Sequence, residues 1–204
     1  MTPRFVDSWT RAWTALGATG HGHDLRDTLL ARYAEPQRKY HTQQHLEECL
    51  NLFDEVRDLP PHPAEVEMAL WFHDAIYELR GGDNEARSAA WAEQALGAAG
   101  VARESVQRVR DLVWVTLHTR EPVTLDEQVL VDIDLAILGA DTTRFDEYER
   151  QICEEYAHVP GLIFRHKRRQ ILRRFLDRPV IYSTADLRAR LEVRARGNLA
   201  RAIA

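Results

Sequence analysis

The stretch Met68-Ala69-Leu70-Trp71-Phe72-His73-Asp74-Ala75-Ile76-Tyr77 sets a histidine beside an aspartate in a run that is otherwise apolar. At helical spacing Val66, Ala69, Leu70, His73, Ile76 and Tyr77 share one face, so the run reads as a core helix. His73 then points where its neighbours bury. A buried carboxylate is costly unless something pairs with it, and a metal ion is one such partner.

Around this run the chain is helical in pattern throughout. Helices are expected over 3–16, 24–33, 42–57, 63–77, 84–98, 103–118, 125–138, 142–156, 161–175 and 184–202. Asp24, Thr42, Asn84 and Thr184 are the expected N-caps. Breaks fall at Leu59-Pro60-Pro61-His62-Pro63, Arg80-Gly81-Gly82-Asp83, Gly139 and Val159-Pro160-Gly161. There is no β alternation, no repeat, no glycine-rich phosphate loop and no nucleophile elbow. With short connections, this pattern implies one compact all-α domain over 1–204.

The 204 residues are enough for a sizeable core, and 45% hydrophobic with 29% charged suits a water-soluble protein. No apolar run approaches the roughly 20 residues that span a membrane. The first residues lack the apolar segment of a secretory signal. Cys49 and Cys153 show no paired spacing and read as reduced core thiols of a cytoplasmic protein. The net charge of −5 is unevenly spread: residues 161–204 hold twelve Arg/Lys against three Asp/Glu, so the first 160 carry about −14. The basic stretch is either a solvated face or a binding surface for an anion. Trp9, Trp13 and Phe5 on the first helix can form core or a dimer face, and core is favoured.

With nine His and fifteen Asp in the chain, about 0.7 His-Asp pairs are expected by chance, so the pair alone is a weak signal. A second one, His23-Asp24, precedes a helix and reads as a cap. His73-Asp74 differs because other candidate ligands surround it in sequence. Upstream, His41 and His45 are four apart and can share a helix face. His45 also continues the apolar row Cys49, Leu52 and Val56, so it points inward. Downstream, Asp132 and Asp134 interrupt the apolar run 129–139 and flank its arc equally, so periodicity does not choose between them.

The order His45, His73-Asp74, Asp134 (or Asp132) resembles the HD-domain superfamily of metal-dependent phosphohydrolases. Further elements are similar to a bacterial subgroup of predicted HD-superfamily hydrolases: Tyr40-His41-Thr42-Gln43-Gln44-His45, Asp83-Asn84-Glu85-Ala86-Arg87-Ser88-Ala89, Asp132 to Gly139, and Glu192-Val193-Arg194-Ala195-Arg196-Gly197-Asn198-Leu199. The resemblance implies an HD-like helical bundle with its metal-site core at about 38–139 and basic helices at 161–204. It implies that His45, His73, Asp74 and the final Asp ligate one divalent ion. The small apolar residue before that Asp and the Leu after it favour Asp134. Imidazole and carboxylate ligands suit Mn, Co, Ni, Zn, Fe or Mg without selecting one. His41 matches a histidine that donates a proton in related phosphodiesterases.

The implied activity is hydrolysis of a phosphate ester or anhydride, with a nucleotide as one substrate class. Arg38, Lys39, arginines of the 165–174 run (Arg169 by the subgroup pattern) and His118 would contact the substrate. The catalytic Glu of alarmone hydrolases, three residues after the HD pair, is replaced here by Tyr77. Glu78, Asp83 and Glu85 are the substitutes. Dinuclear members need two more histidines before the last Asp, and only His118 lies there, which favours one metal. The alternatives are a diiron oxygenase and an inert HD protein that binds metal or nucleic acid. Sparse basic-aromatic interleaving and the negative net charge disfavour nucleic acid.

Overall fold

A computed structural model describes residues 2–204, and they are all-α. Helices α1 (Pro3–Ala15), α2 (His23–Tyr33), α3 (Gln43–Val56), α4 (Pro63–Phe72), α5 (Asn84–Ala98), α6 (Arg103–Val115), α7 (Leu125–Asp134), α8 (Thr142–Glu155), α9 (Gly161–Leu176) and α10 (Ala185–Ile203) follow one another. A 3₁₀ segment (Leu135–Gly139) continues α7. No strand occurs among the described residues. None of their helices is long and apolar enough to cross a membrane. The chain divides into two compact units, Met1–Leu130 and Val131–Ala204.

In the first unit α4 is the central helix, packed against α1, α3, α5 and α6. Eight consecutive residues from Glu65 to Phe72 are buried. That explains why its sequence is apolar all round rather than on one stripe. Its two buried carboxylates are paired from the rim. Glu65 accepts from Arg108 Nε at 2.6 Å, and Glu67 accepts from Arg11. Burial still pushes the Glu67 carboxyl above its ordinary range, against the pull of Arg11 and Ser8. Phe5, Trp9 and Trp13 are core: Trp9 stacks on Trp13 and meets Trp71 edge-on, both at 5.1 Å between centroids. The Trp71 indole N–H donates to Ser8 Oγ at 3.0 Å, the partner a buried indole needs.

In the second unit α10 packs on α9 and on the 3₁₀ segment, which also meets α8. Side chains of α10 and the loop before it bind the main chain of that segment. Tyr182 Oη donates to Leu135 O at 3.1 Å, Arg194 Nε to Gly139 O at 2.9 Å, and Asn198 Nδ2 to Leu138 O and Ala140 O at 3.0 and 2.9 Å. Glu192 accepts from the Ile181 and Tyr182 amides and from Arg196.

Several helices end earlier than their periodicity. The helix expected over 63–77 stops at Phe72. The His73 ring takes Leu70 O through Nδ1 at 2.8 Å, the carbonyl that the Asp74 amide would use in a continuing helix, and that amide turns to Tyr33 Oη instead. The helix expected to 138 gives way to 3₁₀ geometry where Tyr182 and Asn198 capture its carbonyls. The helix expected to 118 stops at Val115, and His118 lies beyond it with φ 54°, in the left-handed region that histidine tolerates better than most residues.

The caps are mixed. Thr42 caps α3 by accepting from the Gln44 amide. Asp24 is not a cap: Gly22 precedes α2 with φ 60°, and Asp24 sits in the first turn. Asp83, not Asn84, stands before α5, because the Asn84 amide is bonded to Glu78. Thr184 precedes α10, but its hydroxyl donates to Asp132 rather than capping. Cys153, expected in the core, is exposed on α8; Cys49 is buried.

Candidate metal centre

Three donor atoms converge where the end of α4 meets the start of α3. His45 Nε2 lies 3.1 Å from His73 Nε2, and Asp74 Oδ2 lies 3.1 Å from His73 Nε2 and 3.6 Å from His45 Nε2. Both histidines are 2% exposed. Two donors each about 2.1 Å from one ion, at tetrahedral or octahedral angles, sit about 3 to 3.5 Å apart, so the spacing fits a shared divalent ion. Two imidazole lone pairs cannot face each other at 3.1 Å with nothing between them; a proton or a cation must lie there.

Cys49 also belongs to the cluster, since His45, Cys49 and His73 gather closely enough to hold a metal. Its geometry is poorer. The thiol is 3.7 Å from His45 Nδ1 and 3.8 Å from Nε2. Such near-equal distances set it against the ring rather than ahead of Nε2. The carboxylate of Asp74 is the better third donor. The sequence signal for Cys49 is its place one helical turn after His45, on an apolar row that by itself marks core.

Each donor is held by a neighbour. His73 Nδ1 bonds Leu70 O, which leaves Nε2 facing the cluster. His45 Nδ1 meets Tyr40 Oη at 3.1 Å. Burial alone would raise the Asp74 carboxyl; the imidazoles of His73, His41 and His45 outweigh it and hold that carboxyl well below the usual carboxylate range. Tyr33, pushed well above the ordinary phenol range by burial and then by Asp74, stays a neutral donor to Trp71 O.

The turn that carries His73-Asp74 is fastened from three sides. Arg38 is buried and gives its guanidinium to Asp74 O at 2.5 Å, Ala75 O at 3.1 Å, His41 O at 3.3 Å and the Glu35 carboxylate at 3.2 Å. Ser88 Oγ accepts from the Ile76 amide at 3.0 Å. Asn84 accepts from the Glu78 amide and donates to Glu78 O at 3.0 and 3.1 Å. The 83–89 element is thus a clamp on the segment after the HD pair.

Of the other expected residues, His41 is brought to the cluster. Its ring stacks on Tyr77 at 3.9 Å and lies 6.0 Å from the ring of His45, centroid to centroid. Lys39 is exposed and donates to Pro36 O. Glu78 is an exposed carboxylate paired with Arg87 at 2.7 Å, with Asp83 4.0 Å from the same guanidinium. Glu85 sits half-buried in the first turn of α5, and His118 is half-buried after α6.

In the second unit Asp132 is fully buried and accepts from the Ser183 amide, the Thr184 amide and the Thr184 hydroxyl, each at 2.7 Å. Burial pushes its carboxyl up in spite of those bonds. Asp134 is half-buried at the end of α7. Arg169 is exposed on α9 and donates to Ala204 O. The chain matches no family model, no curated protein and no solved structure.

Proposed function

We propose that this protein is a metal-dependent hydrolase of a phosphate ester or anhydride, with one divalent ion held by His45, His73 and Asp74. The observation that carries the reading is the convergence of two buried imidazole nitrogens and a carboxylate oxygen within 3.6 Å of one another. The sequence order shared with the HD superfamily supports it, and so does the fastening of the HD turn by residues of the same motifs. Asp134 as a further ligand and Arg169 as a phosphate contact rest on that resemblance alone. A nucleotide is the substrate class the resemblance suggests, in a cytoplasmic setting that keeps both thiols reduced.

When bound, a divalent ion supplies the positive charge that polarises a phosphoryl oxygen. The chain supplies the rest. Arg38 fixes the carbonyls of Asp74 and Ala75, and so the main chain from which the carboxylate reaches the imidazoles. His41, half-buried on Tyr77, is the imidazole that gives a proton to the departing oxygen. Glu85 is the carboxylate assigned to accept one, because Glu78 and Asp83 face Arg87 on the surface.

The test is metal content of purified protein beside Asp74→Ala, followed by phosphate release from a panel of nucleotides with Mn2+, Co2+ or Mg2+ added. We expect about one ion per chain, lost in the variant together with turnover, while circular dichroism is unchanged. Equal metal content in both proteins, or two irons per chain, would overturn the reading.

A further inference from the structure

Helix α9 is held to the fold along one side only. Leu172 is its one fully buried residue, and Phe164, Arg168 and Phe175 are half-buried beside it. The charge of Arg168 is satisfied within the fold, by Glu149 and by the face of Tyr148 at 4.9 Å. Arg165, Lys167, Arg173 and Arg174 are exposed, and none of them pairs with a carboxylate among the described residues. Three large aliphatic side chains share this outer surface: Leu162 is 77% exposed, Ile163 49% and Ile171 44%. The two kinds of residue are interleaved at helical spacing. Leu162, Arg165 and Arg173 lie along one outer row, with Arg169 between them reaching Ala204 O. Ile163, Lys167, Ile171 and Arg174 form the next row.

We propose that the outer face of α9 docks this protein on an anionic phospholipid surface, with Leu162 and Ile163 entering the acyl boundary and the exposed cations held among the headgroups. The inference goes beyond the metal reading and does not depend on it. Water suits the cations but not the aliphatic groups. A nucleic-acid backbone would neutralise the charges and leave Leu162 and Ile163 wet. An anionic bilayer boundary takes both at once, because long Lys and Arg stems let their charges stay at headgroup level while shorter apolar side chains go deeper. Charge complementarity selects this face. Residues 161–204 carry +9 and the first 160 about −14, so a negative surface attracts the segment that holds α9 and repels the remainder. The contact is peripheral, since no helix among the described residues is long and apolar enough to cross a membrane.

The experiment is co-sedimentation of the whole chain with sucrose-loaded vesicles of phosphatidylcholine, alone or with about 30% phosphatidylserine. At about 50 mM NaCl we expect binding to the anionic vesicles and none to the neutral ones. At about 500 mM, where screening leaves a reach of a few ångström, binding should fall about tenfold or more. Lys167→Gln with Arg174→Gln should weaken it about 25-fold, from about fivefold per cation. Leu162→Ser with Ile163→Ser should weaken it about tenfold. Both pairs are exposed, so melting temperatures should stay within about 2 °C of wild type; should one pair fail to fold, the other carries the test. No binding to the phosphatidylserine vesicles at low salt, equal binding to neutral ones, or binding that neither pair weakens would overturn the proposal. Without vesicle binding, retention of a labelled RNA or DNA duplex that ignores Leu162→Ser with Ile163→Ser would overturn it in favour of a phosphate backbone. A dimer on gel filtration that the same pair splits, again without vesicle binding, would overturn it in favour of a second copy.

Discussion

Asp132 and Asp134 stand two residues apart in one apolar helix, yet their surroundings differ. Asp132 satisfies two main-chain amides and a hydroxyl at the start of α10. An asparagine there would turn an N–H toward a donor. Asp132→Asn should therefore lower unfolding stability by about 2 kcal/mol, the scale of a lost buried hydrogen bond to a charged group, with metal content unchanged. Asp134→Asn, on the ligand role proposed for it above, should do the reverse, reducing bound metal at near-native stability. Urea unfolding and elemental analysis of the two variants separate the roles. The helical wheel could not make this distinction, because what occupies Asp132 is a pair of residues 51 and 52 positions away with no local mark in the sequence. The histidines were legible for the opposite reason: His45 and His73 each sit on an apolar row, and only a satisfied or ligating histidine stays there.

At the scale of elements, the helices of the described residues were readable because apolar periodicity is a local property, but their ends were not. Periodicity runs on through Ile76-Tyr77 and through Ala136 to Leu138, while the hydrogen bonds that stop the helices come from Tyr33, Tyr182 and Asn198. Two motif elements that marked the family resemblance prove to be clamps. Asn84 and Ser88 hold the chain after the HD pair, and Glu192, Arg194 and Asn198 hold the 3₁₀ segment and the loop before α10. That packing is close enough to exclude a methyl group. A Cβ at Gly139 would lie 2.7 Å from Leu191 Cβ and 2.9 Å from Leu191 O. Because one of those neighbours is main chain, Gly139→Ala should cost about 1 to 3 kcal/mol, seen as a lower urea midpoint with an unaltered slope.

Over the whole molecule, the uneven charge read from the sequence has a structural counterpart in α9. This helix holds six Lys/Arg and no acid, and buries only Leu172. Arg165, Lys167, Arg173 and Arg174 make no ion pair among the described residues, whereas Arg11, Arg108 and Arg120 each hold a carboxylate. The candidate centre is the contrary case, since nearly every polar group around it is occupied. His45 and His73 are 2% exposed, and Asp74 keeps only 14% of its side chain accessible. An ion on these ligands would meet solvent only beside Asp74, so a phosphoryl oxygen could reach one position while a chelator, which must take several, could not displace the buried imidazoles. Its escape waits on the HD turn loosening from Tyr33, Arg38 and Ser88, a local opening of the kind that hydrogen exchange reports. Metal loss in excess EDTA should accordingly be first order, with a half-life that stays the same when the EDTA concentration is doubled. A release rate that climbed with EDTA would mean that the reagent reaches the ion directly. The residence time of the metal would thus be a clock for the breathing of one turn.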